Sequence, residues 1–235
     1  MDQSFRHSVP TALERMEFVM IRIRRLIVFS ILILSSAPID GASSCAVLQT
    51  KADKLVLELR ELPAPMPGNA PSNGIMPPTE RRRRELYYQI VQLRDDGVKA
   101  LCRALENDDP RLRENAALAL NMLAGGYFDS WPKLDIRAGL PSLIKALQDT
   151  DRNVRAWSAQ AIASIGPDAK LAVPALIKLL HDPWDGARLS SCGAIRMMGP
   201  EAEDALPSLR EASLNDVSAD VRRCAEAAIK YVVKK

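Results

Sequence analysis

The sequence predicts an all-α fold, an alpha-alpha superhelix in which about four helix pairs stack into a solenoid. Three observations carry this. From residue 98 onward the chain aligns with itself in units led by Leu101, Leu143, Leu176 and Leu209, which stand 42, 33 and 33 residues apart. Within each unit, small and aliphatic residues recur at steps that trace one face of a helix. The composition is 47% hydrophobic but only 5% aromatic, as suits layers of Ala, Leu and Ile with little space for rings.

Composition also excludes several functions. A chain of 235 residues with 26% charged side chains is folded rather than disordered, and is long enough for one elongated domain or two small ones. A net charge of +3 supplies no basic stripe of the kind that nucleic acid requires. Two His and four Cys argue against a metalloenzyme and against a disulfide scaffold.

Taken from the N-terminus, residues 20–34 read MIRIRRLIVFSILIL: Arg22, Arg24 and Arg25 precede a run from Leu26 to Leu34 in which only Ser30 is polar. Small residues follow. A basic segment, a short apolar core and a small-residue stretch are the parts of a secretory signal. A bilayer span needs about 20 apolar residues, so this run is short for a permanent anchor. Residues 1–45 are therefore expected to be a signal peptide or a membrane anchor, the anchor resting on residues 20–39, with a buried helix as the remaining alternative. Either of the first two exports the rest of the chain to a periplasmic or other extracytoplasmic space. Asp2, Glu14 and Glu17 lengthen the segment before the apolar run, and a start at Met16 or Met20 instead of Met1 gives an ordinary signal. Pro38 disfavours a cut after Ala37 and leaves Ser43, Ser44 or Ala46 as the residue before the cut. Cys45, preceded by Ala42, Ser43 and Ser44, faintly resembles a bacterial lipobox, with Ala42 where that motif usually has Leu.

Residues 46–62 form an amphipathic helix, with Leu48, Ala52, Leu55, Leu59 and Leu62 on one stripe. Little more than two heptads cannot make a stable coiled coil, so this helix docks on the rest of the chain or pairs weakly. Residues 63–79 hold six Pro and two Gly and serve as a linker and domain boundary. A repeat domain over residues 80–235 follows. It opens with Glu80, four consecutive Arg and Glu85, above a stripe of Leu86, Ile90 and Leu93. A helix spreads four consecutive residues around its circumference, so the Arg run is expected to be a solvated face, with an anionic contact as the alternative.

Each repeat carries an Arg, at Arg113, Arg155, Arg188 and Arg222. Three residues later stand Ala116, Ser158, Ser191 and Ala225, and six later Ala119, Ala161, Ala194 and Ala228. Seven later come Leu120, Ile162, Ile195 and Ile229, and ten later Leu123, Ile165, Met198 and Val232. These steps are one helix face, and the small columns admit a neighbouring backbone. The segment before it, such as LPSLIKALQD, is a second amphipathic helix, so each unit is a helix pair that must stack on the next to bury its apolar face.

Asn107, Asp149, Asp182 and Asp216 each stand six residues before the Arg of their unit, and Ala161 to Pro167 read AIASIGP. On these residues the chain resembles the HEAT repeats, in the short bacterial form first named for phycobilisome lyase subunits. The resemblance covers residues 98–233. It implies a structural ladder in which Asn107, Asp149, Asp182 and Asp216 bond with Arg113, Arg155, Arg188 and Arg222 between adjacent repeats. A carboxylate in that turn can also accept N–H groups at the start of the second helix. Residues 80–94 echo four columns through Arg83, Leu86, Ile90 and Leu93, as a degenerate first repeat would. Asn107 departs from the acidic pattern and weakens its rung. Between the first two full repeats, nine residues are added to the 33-residue period, in a loop that holds Tyr127, Phe128 and Trp131. Clustered rings there are either a partner contact or a lid over the chain's own repeats.

No catalytic constellation is found, no residue set suggests a cofactor, and no metal site is expected. His7 and His181 stand alone, no His-Glu pair occurs as a repeat hydroxylase would need, and there is no phosphate loop, nucleophile elbow or Cys-x-x-Cys. Cys102, Cys192 and Cys224 fall on repeat helices as small buried hydrophobes; in an oxidising space two of them can pair, but spacing selects no pair. On the second helices, the columns facing away from the small residues supply Trp157, Gln160, Leu189, Arg196, Met197 and Tyr231, a mixed polar and aromatic strip. Trp157 either joins that strip or fills space between repeats. The expected function is an exported, non-catalytic scaffold that binds a partner protein through this strip, with membrane contact only through the N-terminal segment. The alternatives are a nucleic-acid binder and, weaker, a chromophore-lyase-type enzyme; an export signal fits poorly with a lyase acting on cytosolic or stromal antenna proteins.

Overall fold

Proline and glycine punctuate the helices. Pro110, Pro141, Pro174 and Pro207 each lie in the first turn of a helix, where their missing N–H removes a donor that would have no intrahelical partner. Gly166 and Gly199, with φ of 70° and 60°, follow the last residues of two second helices in a backbone region that a side chain would strain. A seven-residue stretch of 3-10 turns starts at each of them, Gly166–Ala172 kinked at Ala169 and Gly199–Ala205 kinked at Ala202, and delivers the chain to the next pair.

The structure is a computed structural model that describes residues 51–63, 76–126 and 131–233. Residues 51–58 form α1, which ends in the 3-10 turn Leu59–Glu61. Then come α2 (Pro78–Gln92), α3 (Asp95–Ala104), α4 (Pro110–Gly125), α5 (Leu140–Ala146), α6 (Arg152–Ile165), α7 (Val173–Leu179), α8 (Asp185–Met198), α9 (Leu206–Asn215) and α10 (Ala219–Val232). Among the described residues there is no strand, and no helix long and apolar enough to cross a membrane. Residues 20–39, the expected export segment, lie outside them.

The architecture is an α-solenoid. α3 with α4, α5 with α6, α7 with α8 and α9 with α10 are the four pairs, and the second helices α4, α6, α8 and α10 pack side by side in one layer. The small columns make that possible: Ala116, Ser158, Ser191 and Ala225, and Ala119, Ala161, Ala194 and Ala228, are wholly buried where the helices meet. Leu120, Ile162 and Ile195 beside them are also fully buried, each contributing about 1.5–3 kcal/mol of apolar transfer. One continuous core runs from Ala52 to Val232.

That core includes α1. Ala52 and Leu59 are fully buried, and Asn115 on α4 donates to the carbonyls of Leu59 and Leu62 at 3.0 and 3.3 Å. The amphipathic helix thus docks on the repeats. Arg83 overturns the reading of the Arg run as a purely solvated face. It is 3% exposed, donates to Asn115 Oδ1 at 2.6 Å, and also donates to the Pro63 carbonyl. Its three Arg neighbours remain exposed on α2.

The described end of the inserted loop lies on the chain's own repeats. Trp131 meets Tyr88 with ring centroids 5.4 Å apart and has the Arg84 guanidinium 5.7 Å from its ring centroid. Leu134 and Ile136 are buried, and the Leu134 N–H donates to the Leu123 carbonyl at 3.0 Å. Tyr127 and Phe128 lie outside the described residues.

Candidate functional site

Two rows of side chains cross the solenoid. In the first, the Arg of each of the first three repeats grips the acid of the following repeat with a two-bond fork. Arg113 Nε and Nη2 lie 2.7 and 3.1 Å from Asp149, Arg155 2.6 and 2.9 Å from Asp182, and Arg188 2.7 and 2.8 Å from Asp216. The third nitrogen, Nη1, donates back to the carbonyl six residues upstream, at Asn107, Asp149 and Asp182. Among the described residues Arg222 makes only backward bonds, to the Asp216 carbonyl at 2.5 Å and a weaker one to Val217.

The acids also order the turns, though not through the first helical N–H groups as the sequence suggested. Asn107, Asp149, Asp182 and Asp216 accept the N–H two residues on, at Asp109, Asp151, Trp184 and Ser218, which are the N-caps themselves. The first-turn donors are taken instead by Asp109, from Arg111 N–H, and by Asp151, from the N–H groups of Asn153 and Val154. The Asn107 side chain receives no Arg among the described residues; Arg83, which stands in the preceding Arg column, turns to Asn115. The Arg188 fork holds the Asp216 carboxyl below the usual carboxylate range against the effect of its burial. Burial pushes Asp149 up, but Arg113 and the Asp151 N–H together bring it below that range. With their polar atoms satisfied in this way, the three rungs position repeats and leave no group poised for chemistry.

The second row lines a groove of about 490 Å³ over α6 and α8. Trp157, Gln160, Leu189, Arg196 and Met197 all face it. Met197 is 54% and Leu189 39% exposed, large apolar side chains that the fold itself leaves in water. Trp157 is half-buried, resting on the core while contributing to the groove wall. Gln160 forms the centre of a polar line across three second helices: Asn121 Nδ2 donates to its Oε1 at 3.3 Å, and its Nε2 donates to Ser190 Oγ at 3.1 Å. Tyr231 is not in the groove wall; it lies beyond, half-exposed, with the Arg196 guanidinium 5.9 Å from its ring centroid.

The groove also uses residues that the column reading missed. Trp184 occupies the N-cap position of α8, where the other repeats have Asp109, Asp151 and Ser218. That break in a polar column was the available signal. Its ring has the Arg152 guanidinium 5.2 Å from its centroid and covers Gly186 so closely that an added Cβ would lie 2.5 Å from the ring. Gly193, in the interior of α8, costs helix stability, and an added Cβ there meets nothing within 4 Å because it opens into the groove. Cys224 reaches the same wall from α10. Among the described residues no three His, Cys, Asp or Glu side chains converge as metal ligands would.

Comparison with known proteins agrees with this geometry. The family model described as HEAT repeats matches residues 137–230. No curated protein matches the chain. Among solved structures, the CpcE and CpcF complex of phycocyanin lyase from Nostoc sp. PCC7120 is 16% identical, covering 76% of this chain and 98% of its own at a TM-score of 0.56. A computationally designed armadillo repeat protein for modular peptide recognition is 19% identical, covering 81% of this chain and 92% of its own at 0.51. A designed armadillo repeat protein in complex with the peptide (KR)4 is 18% identical, covering 84% and 95% at 0.50. At these identities the likeness concerns the fold.

Proposed function

We propose that this chain, whose residues 137–230 match the HEAT-repeat family, is a non-catalytic scaffold that binds an extended segment of a partner protein along the groove of α6 and α8. The observation that supports this is the groove itself. Leu189, Met197 and Trp157 offer apolar contact next to the polar line of Asn121, Gln160 and Ser190, and Gly193 keeps the space between them open. Apolar anchors fix affinity, while amide side chains can exchange their mutual bonds for those of a peptide backbone. The designed armadillo neighbours, one made for modular peptide recognition and one holding a peptide, lend this reading support at the level of the fold. The phycocyanin lyase among the structural neighbours gives no warrant for lyase activity here, since the same fold hosts unrelated activities.

The binding is assigned to an extracytoplasmic space, periplasmic or on the outer face of a membrane, on the strength of residues 20–39. A fusion of residues 1–46 to a reporter active only outside the cytoplasm is expected to be active, and a silent fusion would reject export. For the groove, a library of displayed random peptides is panned against the full chain and against Gly193→Trp, whose indole has space to occupy the opening. Peptides that enrich on the wild type are expected to bind the variant at least tenfold more weakly. Equal binding, or no enrichment at all, would remove the groove from the proposal.

A further inference from the structure

The groove over α6 and α8 has a definite charge. Arg196 is the single charged side chain among the residues that line it, and no Asp or Glu stands in its wall. The Arg196 guanidinium is exposed, lies 5.9 Å from the Tyr231 ring centroid, and has no carboxylate partner among the described residues. Other cations of these second helices are already engaged, Arg155 and Arg188 in the ladder and Arg223 with Asp220. Lys230 on α10 occupies the column of Arg196, eight residues past the Arg of its repeat, and adds positive charge at the same end. Asp185 lies at the opposite end of α8, about 16 Å of helix rise from Arg196. A guanidinium over an aromatic ring keeps its N–H edge free for a carboxylate, and the ring limits the rotamer freedom lost when one binds.

We propose, resting on the groove reading above, that the bound segment is acidic: it seats a large apolar side chain on Leu189 and an Asp or Glu on Arg196, about three residues apart. The spacing follows from α8. Leu189 and Arg196 stand two turns apart on one face of that helix, a rise of about 10 Å. An extended chain advances about 3.3 Å per residue, so about three residues cover this distance. Gly193 stands between them, four residues past Leu189 and three before Arg196, and its missing side chain lets the bound backbone come close to α8. Gln160 faces the same stretch and can turn its amide to that backbone. A basic peptide such as (KR)4, which occupies one of the designed neighbours, finds no carboxylate in this wall. A nucleic-acid backbone would require a row of cations, whereas this groove sets one Arg among Trp157, Leu189 and Met197.

The test takes the peptides that enrich on the full chain from the displayed library, synthesises them, and titrates them against wild type and Arg196→Glu. The enriched sequences are expected to share an Asp or Glu about three residues from a Leu, Met, Phe or Trp. Replacing that acid by its amide is expected to weaken binding at least about fivefold, and so is Arg196→Glu. A peptide with Lys in place of the acid is expected to prefer Arg196→Glu to the wild type, an exchange that a misfolded variant cannot produce. Should Arg196→Glu fold poorly, salt gives a second reading on the wild type alone: acidic peptides are expected to bind about fivefold more weakly at about 500 mM than at about 50 mM, and their amide counterparts equally at both. Peptides that lose binding to Gly193→Trp yet share no acid, or that bind Arg196→Glu as tightly as the wild type, would overturn the acidic partner and leave the groove standing. No enrichment at all would remove the groove and this proposal with it. Displacement of the peptides by an equal concentration of oligothymidylate would give the groove to single-stranded nucleic acid and overturn the proposal as well.

Discussion

Arg155 on α6 holds Asp182, in the turn before α8, through two parallel hydrogen bonds: Nε to Oδ2 at 2.6 Å and Nη2 to Oδ1 at 2.9 Å. The two side chains are only 14% and 7% exposed, so this rung is screened far less than a surface pair. Asp182→Ala removes the carboxylate, leaves the Arg155 charge nearly buried, and frees the Trp184 N–H that Asp182 accepts. The expected cost is about 3 kcal/mol, measured by urea unfolding. Arg155→Lys keeps the charge but not the fork, and should lose a substantial part of the same stability. A loss below 0.5 kcal/mol for both variants would show that the ladder does not hold the repeats together.

The ladder also gives the protein an acid limb. Asp216 has a folded pKa lowered by the Arg188 fork, so its contribution is fully present above the unfolded value of about 3.9 and is lost as pH falls through the depressed folded value. Asp149 adds in the same direction. Glu114 has the opposite sign. Burial and the neighbouring Asp151 raise its pKa, so the folded state favours its protonated form and the penalty for ionising it is relieved as pH falls toward the raised value. Urea midpoints are therefore expected to be flat or slightly rising from pH 7 to pH 5 and to drop below about pH 4. Asp216→Asn should flatten that drop, and a steady decline between pH 7 and pH 5 would contradict the assignment.

Much of the fold is legible in the sequence because repetition averages out local accidents. Four copies of an Arg followed by small residues three and six places on can satisfy one helix face only, and the wholly buried Ala161 and Ala194 show which face it is. The strip on the opposite face was readable for Trp157, Gln160, Leu189, Arg196 and Met197 by subtraction. Trp184 was not, because it lies before the Arg, in a turn whose path only the fold reveals. Arg83 was misjudged for a related reason. Its carbonyl partner, Pro63, is 20 residues away across the proline-rich linker, and helical spacing says nothing about a chain that returns.

The docking of α1 makes a chain cut at residue 80 a weaker protein than the repeat domain boundary suggests. Leu59 is wholly buried, and its carbonyl, with that of Leu62, accepts from Asn115. Leu59→Ala is expected to cost about 2–5 kcal/mol through lost transfer and the cavity left behind. Asn115→Ala strips the donor from both carbonyls and an acceptor from Arg83, at about 1–3 kcal/mol for each buried group left without a partner. Thermal melts of the full chain and of residues 80–235 should differ in the same direction, and coincident melts would mean that α1 adds nothing to the core.

Ser158 and Ser191 occupy the same column and are both wholly buried, yet their hydroxyls differ. Ser191 Oγ donates to the Leu176 carbonyl at 2.6 Å, tying α8 to α7, whereas Ser158 Oγ has no partner among the described residues. A buried hydroxyl without a hydrogen bond costs about 1–3 kcal/mol in desolvation, while a satisfied one returns about 1 kcal/mol net. The other two repeats place Ala116 and Ala225 in this column, which shows that a methyl group fits the space. Ala is also the stronger helix former. Ser158→Ala is thus expected to raise the unfolding free energy by about 1 kcal/mol, and Ser191→Ala to lower it by a similar amount because the Leu176 carbonyl loses its side-chain donor. The opposite signs matter more than the magnitudes. General effects of Ser-to-Ala replacement in a helix move both variants the same way, so parallel shifts in paired urea titrations would show that the Ser158 hydroxyl finds a partner in solution.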